Sequence, residues 1–219
     1  MQYKKWKKEY RKETSLIPSV KRARPSTALL MLEEYAKTNG ISIKNPVLDL
    51  GCGNGRNALY LAAKGYRVFA FDFVEEVVEQ VKEKAPKALT VFTHTLPHRL
   101  KFRDNFSGTI LDLSTFISLN MREMAAMRKE VERLLRPGGL FLTYNISDQN
   151  SYSASLKSRP RQKIVTLPSS GIKETLWNPR DLVNFWSHFR PLLIAVRPKN
   201  ERIEGKTVPL EMIMGIFQK

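Results

Sequence analysis

The chain has 219 residues, 42% of them hydrophobic, a length and composition that suit one domain with a full hydrophobic core. Its apolar runs are too short to span a bilayer and no apolar signal core follows the charged N-terminus, so we expect a cytoplasmic protein without a membrane span. The one cysteine, Cys52, excludes an intramolecular disulfide, and the sequence offers no Cys/His cluster for a metal site.

Basic residues outnumber acidic residues by 37 to 21, which gives a formal net charge of +16. Residues 1–24 hold nine of the basic side chains and two acidic ones. An excess of this size favours encounter with anionic partners but does not identify one. The charge therefore keeps nucleic acid open as a partner, and the sequence does not determine the oligomeric state.

Aromatic residues recur at helical spacing near the N-terminus, at Tyr3, Trp6 and Tyr10, with lysines on the remaining faces. This pattern predicts a short amphipathic helix over residues 3–12, inside a basic segment over residues 1–25. The aromatic face can pack against the core of the protein. A helix lying on a membrane surface is the less favoured alternative, because this helix is short.

A strand, a glycine turn and a helix are predicted in succession from residue 47 onward. Val47–Leu50 is the apolar strand, glycines occupy alternate positions from Gly51 to Gly55, and an alanine- and leucine-rich run follows. A dinucleotide-binding fingerprint needs its last glycine at the sixth position, where this chain has Arg56. The pattern is instead Asp-x-Gly-x-Gly-x-Gly, beginning at Asp49. Without Cβ atoms, such a turn lets a ligand approach the backbone closely.

This stretch resembles the first motif of the class I S-adenosylmethionine (SAM) methyltransferases, and the string from Leu48 to Asn57 is similar to the tellurite-resistance branch of that family. The resemblance implies SAM as the cofactor. It also implies that the leading helix lies over the cofactor pocket, which makes its aromatic residues, Tyr3, Trp6 and Tyr10, candidates for covering the site. The turn residues that the resemblance assigns to cofactor binding are Asp49, Gly51, Cys52, Gly53, Asn54 and Gly55.

The single cysteine lies inside this glycine turn. Enzymes that methylate carbon 5 of pyrimidines need a cysteine nucleophile near the base, so a lone cysteine in the cofactor loop disfavours that chemistry. We interpret Cys52 as a small buried residue.

Residues 66–73 predict a second buried strand with Asp72 at its carboxyl end. In an open α/β sheet this position holds a carboxylate that accepts hydrogen bonds from both ribose hydroxyls, so we assign that role to Asp72 and expect Phe73 beside the adenine. The alternative is that Asp72 caps the helix predicted over residues 74–84, since Asp is a favoured N-cap residue.

A third strand is predicted over residues 88–93. Members of the family often carry an acidic residue after this strand, where it meets the adenine amino group, but this chain has a polar run from His94 to His98 instead. Backbone groups or these polar side chains would then recognise the adenine.

The fourth predicted strand, over residues 107–113, carries Asp112. In the family the end of this strand lies beneath the transferred methyl group, so Asp112 is a candidate for cofactor binding and catalysis; a solvated strand-end acid is the alternative. A long helix predicted over residues 119–136 leads into Leu135–Tyr144. The Pro-Gly-Gly turn and fifth strand in that segment resemble the corresponding part of class I methyltransferases.

Residues 148–176 have no strong period and predict a long loop on the substrate side of the site, where loops usually shape access. A helix after Asn178 precedes two closing strands, over residues 192–196 and 208–216, which we expect to be joined by a basic turn through residues 199–201.

These elements, with a helix over residues 27–36 capped by Ser26, predict a single domain over residues 1–219. The predicted fold is α/β: a Rossmann-like, doubly wound, seven-stranded mixed sheet with an antiparallel last strand and helices on both faces.

Methyl transfer from a sulfonium is an in-line displacement with a good leaving group, so holding the nucleophile on the axis supplies much of the catalysis. Because the chain lacks a separate recognition domain and resembles the tellurite-resistance branch, we predict a SAM-dependent methyltransferase that acts on a small-molecule acceptor. Where the acceptor needs a base, the candidates by sequence position are Asp112, His94, Tyr144 and Tyr152.

Two other functions stay open at this point. An RNA or DNA methyltransferase fits the basic surface, although residues 112–115 lack the Asn/Asp-Pro-Pro-aromatic string of enzymes that methylate base amino groups. A non-catalytic SAM-binding protein is the third function, because the sequence secures no catalytic residue.

Overall fold

The computed structural model describes residues 2–12, 22–149, 151–159, 161–168, 170–203 and 206–219. Part of the predicted basic segment, residues 13–21, therefore lies outside the described residues. The helices are α1 (Tyr3–Arg11), α2 (Thr27–Thr38), α3 (Arg56–Ala63), α4 (Glu75–Lys82), α5 (Met121–Leu134), α6 (Ser151–Ser155) and α7 (Pro179–Phe185). The strands are β1 (Val47–Leu50), β2 (Val68–Asp72), β3 (Leu89–Thr93), β4 (Ser107–Leu113), β5 (Leu135–Ile146), β6 (Ile164–Thr166), β7 (Lys173–Thr175), β8 (Arg190–Ile203) and β9 (Lys206–Gln218).

Seven strands form one mixed sheet in the order β3-β2-β1-β4-β5-β9-β8. The five strands from β3 to β5 run parallel, while β9 pairs antiparallel with both β5 and β8. This confirms the predicted doubly wound sheet with an antiparallel last strand. The chain order reverses between β1 and β4, and in such sheets ligands bind at the carboxyl ends of the strands that flank this point.

Helices cover both faces of the sheet, as predicted. Adjacent strand residues point to opposite faces, so Val47 joins one core cluster and Leu48 joins the other. Helices α2, α3 and α4 pack on the first face, and α5 and α7 pack on the second. In the described part of the chain, no helix is both long enough and apolar enough to cross a membrane.

The start of α5 is fixed by a capping box. The backbone N–H of Glu123 donates to Asn120 Oδ1 at 3.0 Å, and the backbone N–H of Asn120 donates to Glu123 Oε2 at 2.9 Å. Two backbone donors that would otherwise lack partners at the helix end are thereby satisfied.

Replacing Asn120 with alanine is expected to lower the free energy of unfolding by about 1 kcal/mol, because it removes the N-cap acceptor. Urea unfolding would measure the loss. Asn120→Asp is the matched control, since Asp is an equally good N-cap residue. A loss of the same size in both variants would contradict this account of the helix start.

Three predicted boundaries are wrong. The Pro-Gly-Gly segment lies within β5, where Gly138 has φ 69° and its N–H donates to the carbonyl of Lys219 at 2.7 Å.

The closing strands are longer than predicted, and residues 199–201 continue β8 instead of turning. Glu201 pairs with Val208 in the ladder, and its charge is met by Arg22 and Lys199. The polar residues 199–201 can therefore form part of a strand, because the charge of Glu201 is paired.

The described residues between 148 and 176 also form more regular structure than the predicted loop. They contain α6 and an antiparallel hairpin of β6 and β7, with Ile164 opposite Thr175. Elements of three to five residues are too short to show a hydrophobic period, so the sequence pattern could not reveal them.

Candidate functional site

A pocket of about 220 Å³ lies at the carboxyl end of the parallel strands. The glycine turn after β1 and the end of β2 form one part of its wall, and the loop after β4 forms another. Side chains from α1 and from the β6–β7 hairpin also line it. The structure thus brings the predicted motifs together at the point where the strand order reverses.

The glycine turn is shaped by positions that have no room for a side chain. Gly51 has φ 63°, and a Cβ there would lie 2.5 Å from Thr115 Oγ1. Gly53 has φ 55°, and its Cβ would lie 2.8 Å from the Tyr10 hydroxyl oxygen. Both positions combine a left-handed backbone with close contact, which glycine alone accepts without strain. Gly55, the N-cap of α3, also has a left-handed backbone, with φ 74°, but it faces Val81 of α4 in the core.

Asp72 lies at the end of β2 and is 4% exposed. Its Oδ2 accepts a hydrogen bond from the N–H of Gly53 at 3.0 Å, and its Oδ1 accepts one from the N–H of Val74 at 3.0 Å. Burial raises the pKa of this carboxyl, and the backbone hydrogen bonds oppose that shift. Each carboxylate oxygen has two acceptor sites, so Asp72 can accept two further hydrogen bonds from a ligand.

Asp49 in β1 is buried and lines the same pocket. Its Oδ2 is buried and has no hydrogen-bond partner among the residues that the structure describes. Burial raises its pKa to about 7; the nearby Asp72 and Asp112 add to the shift and Arg56 opposes it. An unpartnered buried carboxyl oxygen is costly, and a cation bound beside it would offset that cost.

Cys52 and Asn54 complete the turn. Burial raises the pKa of the Cys52 thiol well above its usual value, so this sulfur is a poor nucleophile. The Asn54 amide donates to the carbonyl of Arg22 at 2.7 Å and so ties the turn to the chain before α2.

Asp112 does not reach the ligand space, contrary to the role predicted for it, and it is not a solvated acid either. It is fully buried, and its Oδ1 accepts hydrogen bonds from the N–H groups of Thr115 and Phe116, both at 3.0 Å. The Thr143 hydroxyl donates to its Oδ2 at 2.6 Å. Burial raises its pKa to about 6, and these hydrogen bonds oppose the shift. Asp112 therefore holds the loop after β4 in shape.

Helix α1, here called the cover helix, lies against the pocket with its aromatic face inward. Trp6 and Tyr10 line the pocket, whereas Tyr3 is 38% exposed and packs on Phe73 with ring centroids 5.4 Å apart. Lys7 and Arg11 form ion pairs with Glu76 of α4.

The N-terminal end of the cover helix is attached on the other side of the pocket. The Gln2 amide donates to the carbonyl of Ser118 at 3.1 Å and to the carbonyl of Lys173 in β7 at 2.6 Å. Gln2 also accepts from the N–H of Lys173. The cover helix is therefore fixed at both ends above the pocket.

Part of the chain is similar in sequence to known proteins. Residues 47–139 match the family model described as "Methyltransferase domain". The 2-heptyl-1-hydroxyquinolin-4(1H)-one methyltransferase of Mycobacteroides abscessus is 29% identical over 121 residues, which cover 54% of this chain and 51% of that protein. TehB of Haemophilus influenzae is 30% identical over 96 residues, which cover 42% of this chain and 33% of TehB. The chain thus spans about half the length of the first relative and a third of the second.

The fold has solved counterparts. One is the 1,6-didemethyltoxoflavin-N1-methyltransferase of Burkholderia thailandensis, crystallised with 1,6-didemethyltoxoflavin and S-adenosylhomocysteine. It is 18% identical, with a TM-score of 0.64 over 88% of this chain and 78% of that chain. Residues 47–139 therefore carry a methyltransferase domain, and the fold of the chain resembles that of solved SAM-dependent methyltransferases.

The pocket of this methyltransferase domain fits a SAM molecule on three structural counts. Asp49 lines the pocket and has a buried carboxyl oxygen without a hydrogen-bond partner among the described residues, a cost that a nearby cation would offset. Asp72 retains two acceptor sites for hydroxyl groups. Gly53 lines the pocket without a side chain, so a ligand can approach the backbone of the turn closely.

Three of the predicted base candidates do line the pocket of the methyltransferase domain: His94, Tyr144 and Tyr152. His94 Nε2 lies 2.9 Å from the carbonyl of His98, and the His94 ring packs edge-on against Phe71. Burial, with the negative charge of Glu201, raises the pKa of Tyr144 to about 12. Tyr144 therefore keeps its proton at neutral pH and can donate a hydrogen bond but not act as a base.

Glu174 and Ser118 are among the pocket-lining residues that the sequence did not single out. Glu174 of β7 is 7% exposed, and Ser118 lies in the 3-10 helix Phe116–Ser118 after β4. Little in the sequence indicates that Glu174 is buried. Its strand has only three residues, and its neighbour Lys173 is exposed.

Proposed function

We propose that this protein transfers a methyl group from SAM to a small-molecule acceptor by in-line displacement. The observation that carries the proposal is the covered pocket. Its ligand space lies beneath a helix that Gln2 and Glu76 hold at opposite ends, and aromatic side chains face inward. A small molecule can be enclosed there, whereas a nucleic acid strand would require the cover helix to leave.

In this proposal each end of the pocket has its own task. The glycine turn lets SAM, the methyl donor, approach the backbone closely. Asp72 binds the ribose hydroxyls of SAM, and Phe73 packs beside its adenine. Asp49 faces the positively charged part of the donor. The cover helix excludes water and holds the acceptor on the axis of transfer, where orientation alone is worth about 7 to 11 kcal/mol in well-aligned reactions.

The relative from Mycobacteroides abscessus suggests a first acceptor to test. Its name describes a methyltransferase for 2-heptyl-1-hydroxyquinolin-4(1H)-one, a flat ring system with a short apolar chain. Such a shape suits a pocket lined by Trp6, Tyr10 and Tyr144.

Two measurements test the proposal. Calorimetry should detect SAM binding by the purified protein. Transfer of radiolabel from SAM should then appear in the hydroxyquinolone or in the low-molecular-weight fraction of a cell extract. SAM binding without transfer to any fraction would favour a non-catalytic SAM-binding protein.

A nucleic acid methyltransferase is a second candidate because of the charge pattern. The net charge is +16, and the exposed side chains Lys4, Lys8 and Arg11 share the face of the cover helix opposite Trp6. Binding of bulk RNA measured across a salt series would test it. Tight, steeply salt-dependent binding together with nuclease-sensitive label would favour this candidate over the small acceptor.

Replacing Gln2 with alanine is expected to speed the release of S-adenosylhomocysteine by about five- to tenfold, because hydrogen bonds worth about 1 kcal/mol each no longer fix the cover helix. Stopped-flow tryptophan fluorescence would measure the rate. Lys4→Ala, on the exposed face of the same helix, is the control. An unchanged release rate in the Gln2 variant would show that the cover helix does not limit ligand escape.

A further inference from the structure

Glu174 is a buried carboxyl in the pocket wall that the family motifs do not account for. It is the central residue of β7, between the exposed Lys173 and the buried Thr175. Only 7% of the residue is exposed, and it lines the pocket. The β6–β7 hairpin thus turns an acidic side chain inward in a part of the chain that otherwise carries basic residues.

The Glu174 carboxyl has no ion pair and no side-chain hydrogen bond with the residues that the structure describes. Burial alone raises its pKa to about 7. A carboxyl with this pKa can take up a proton and release it again near neutral pH. An unpaired carboxyl buried without a partner also costs stability, so a ligand that donates a hydrogen bond to it would relieve that cost.

A second polar atom without a partner lies in the same part of the pocket. Ser118 Oγ is buried and makes no hydrogen bond within the described residues. The 3-10 helix that carries it packs beside β7, and the Gln2 amide joins the backbone of Ser118 to that of Lys173, the neighbour of Glu174. Glu174 and Ser118 therefore belong to one corner, held together by the start of the cover helix.

This corner, defined by Glu174, Ser118 and Gln2, lies outside the motif that forms the donor end. The donor end is built from the glycine turn and Asp72, on β1 and β2. The corner is built from the hairpin, from the turn after β4 and from the residue before the cover helix. Since the donor motif does not need these elements, the corner is available to the acceptor.

The other acidic side chains and the histidine of the pocket have other partners or roles. Asp49, whose pKa is also raised to about 7, faces the positive charge of the donor in the proposed function. Glu201 is paired with Arg22 and Lys199. Asp72 accepts two backbone hydrogen bonds, and His94 is engaged with the carbonyl of His98.

We propose that Glu174 is the proton acceptor of the reaction, and that the methyl acceptor is a flat, largely apolar molecule whose N–H or O–H group donates to Glu174. This inference rests on the proposed function. In the transfer step, the acceptor nitrogen or oxygen forms a bond to the methyl carbon while the bond from that carbon to sulfur breaks. The bonding electrons stay on sulfur, and the acceptor proton passes to a Glu174 oxygen.

A matched pair of ring compounds tests the recognition part. 1-Naphthol and 1-methoxynaphthalene share a ring system and differ in the hydroxyl proton. With S-adenosylhomocysteine present, ligand-observed NMR titration should show at least tenfold tighter binding of 1-naphthol, as expected for a hydrogen bond to a charged group. Glu174→Met, which keeps the length but removes the acceptor, should abolish this preference. Glu83→Gln, an exposed glutamate at the end of α4, is the control and should retain it.

Glu174→Gln tests the proton transfer. The amide can still accept a hydrogen bond but is not basic, so the variant should keep part of the 1-naphthol preference. Its kcat should be at least 100-fold lower, with SAM affinity within twofold of the wild-type value.

Three results would overturn the inference: an unchanged kcat in Glu174→Gln, a naphthol preference that survives Glu174→Met, or no preference in the wild-type protein. Failure of the proposed function would look different. The wild-type protein would then bind SAM and prefer 1-naphthol but transfer no methyl group to any fraction.

Discussion

Replacing Asp72 with alanine is expected to lower the affinity for SAM by at least 100-fold. In the proposed complex Asp72 accepts hydrogen bonds from both ribose hydroxyls while it holds the N–H groups of Gly53 and Val74. Hydrogen bonds to a charged group are worth about 1.5 to 3 kcal/mol each, so losing two of them corresponds to at least about 100-fold in affinity. Calorimetric titration with SAM would measure the change.

The matched control is Asp112→Asn, which alters a second buried carboxyl at the end of a neighbouring strand. Asp112 uses its oxygens on Thr115, Phe116 and Thr143. Its variant should therefore lose stability but keep its SAM affinity within a few-fold. Thermal unfolding of both variants separates the two effects. Equal losses of affinity in the two variants, or none in Asp72→Ala, would contradict the assignment of the ribose site to Asp72.

Asp72 and Asp112 also show how far the sequence could predict this site. Each is an acid at the carboxyl end of an apolar strand, so local sequence treats them alike. The structure separates them through the neighbouring strand: Asp112 lies opposite Thr143 in the β4–β5 register, and the Thr143 hydroxyl donates to it. Asp112 and Thr143 are 31 residues apart in the sequence, so their pairing cannot be derived from either strand alone.

The glycine turn was predictable because its information is local. Strand geometry places the successive apolar residues Val47 and Leu48 on opposite faces, and the parallel pairing brings the end of β1 beside the end of β2. Asp49 and the turn glycines then have to meet Asp72 at one edge of the sheet. Motifs that follow adjacent parallel strands are therefore the part of the site that sequence reasoning can locate.

The acceptor end could not be located in the same way. Glu174 lies on a strand of three residues, within a segment that showed no period. It faces the pocket because the hairpin packs beside residues 116–118 and because Gln2 joins Lys173 to Ser118. These contacts link parts of the chain more than 50 residues apart, so substrate-facing residues of this kind become visible only in the folded structure.

Lowering the pH from 8 to 5 is expected to stabilise the ligand-free protein through Asp49. Burial raises the pKa of this carboxyl from its ordinary value of 3.8 to about 7. Between these two values the folded protein binds a proton that the unfolded chain has released, so stability falls as the pH rises through this range and is constant above it. The full shift corresponds to about 4 kcal/mol, as an upper bound for one group.

Asp49→Asn isolates this contribution, because asparagine mimics the protonated carboxyl at every pH. Urea unfolding at pH 5 and pH 8 should show a variant close to wild type at pH 5 and more stable than wild type at pH 8. Other buried carboxyls shift in the same direction, among them Asp112 and Glu174, but they remain in both proteins. A wild-type protein as stable as the variant at pH 8 would contradict the charge cost assigned to Asp49.

Asp49→Asn, which should stabilise the ligand-free protein at pH 8, should weaken the binding of SAM. A positively charged donor favours the ionised form of Asp49, so SAM affinity in the wild-type protein should fall as the pH drops below about 7. Asp49→Asn should bind SAM weakly and with little dependence on pH. The negative charge on Asp49 would then destabilise the ligand-free protein and also bind the donor. Calorimetric titration with SAM at pH 6 and pH 8 would measure the affinity of the wild-type protein and of Asp49→Asn.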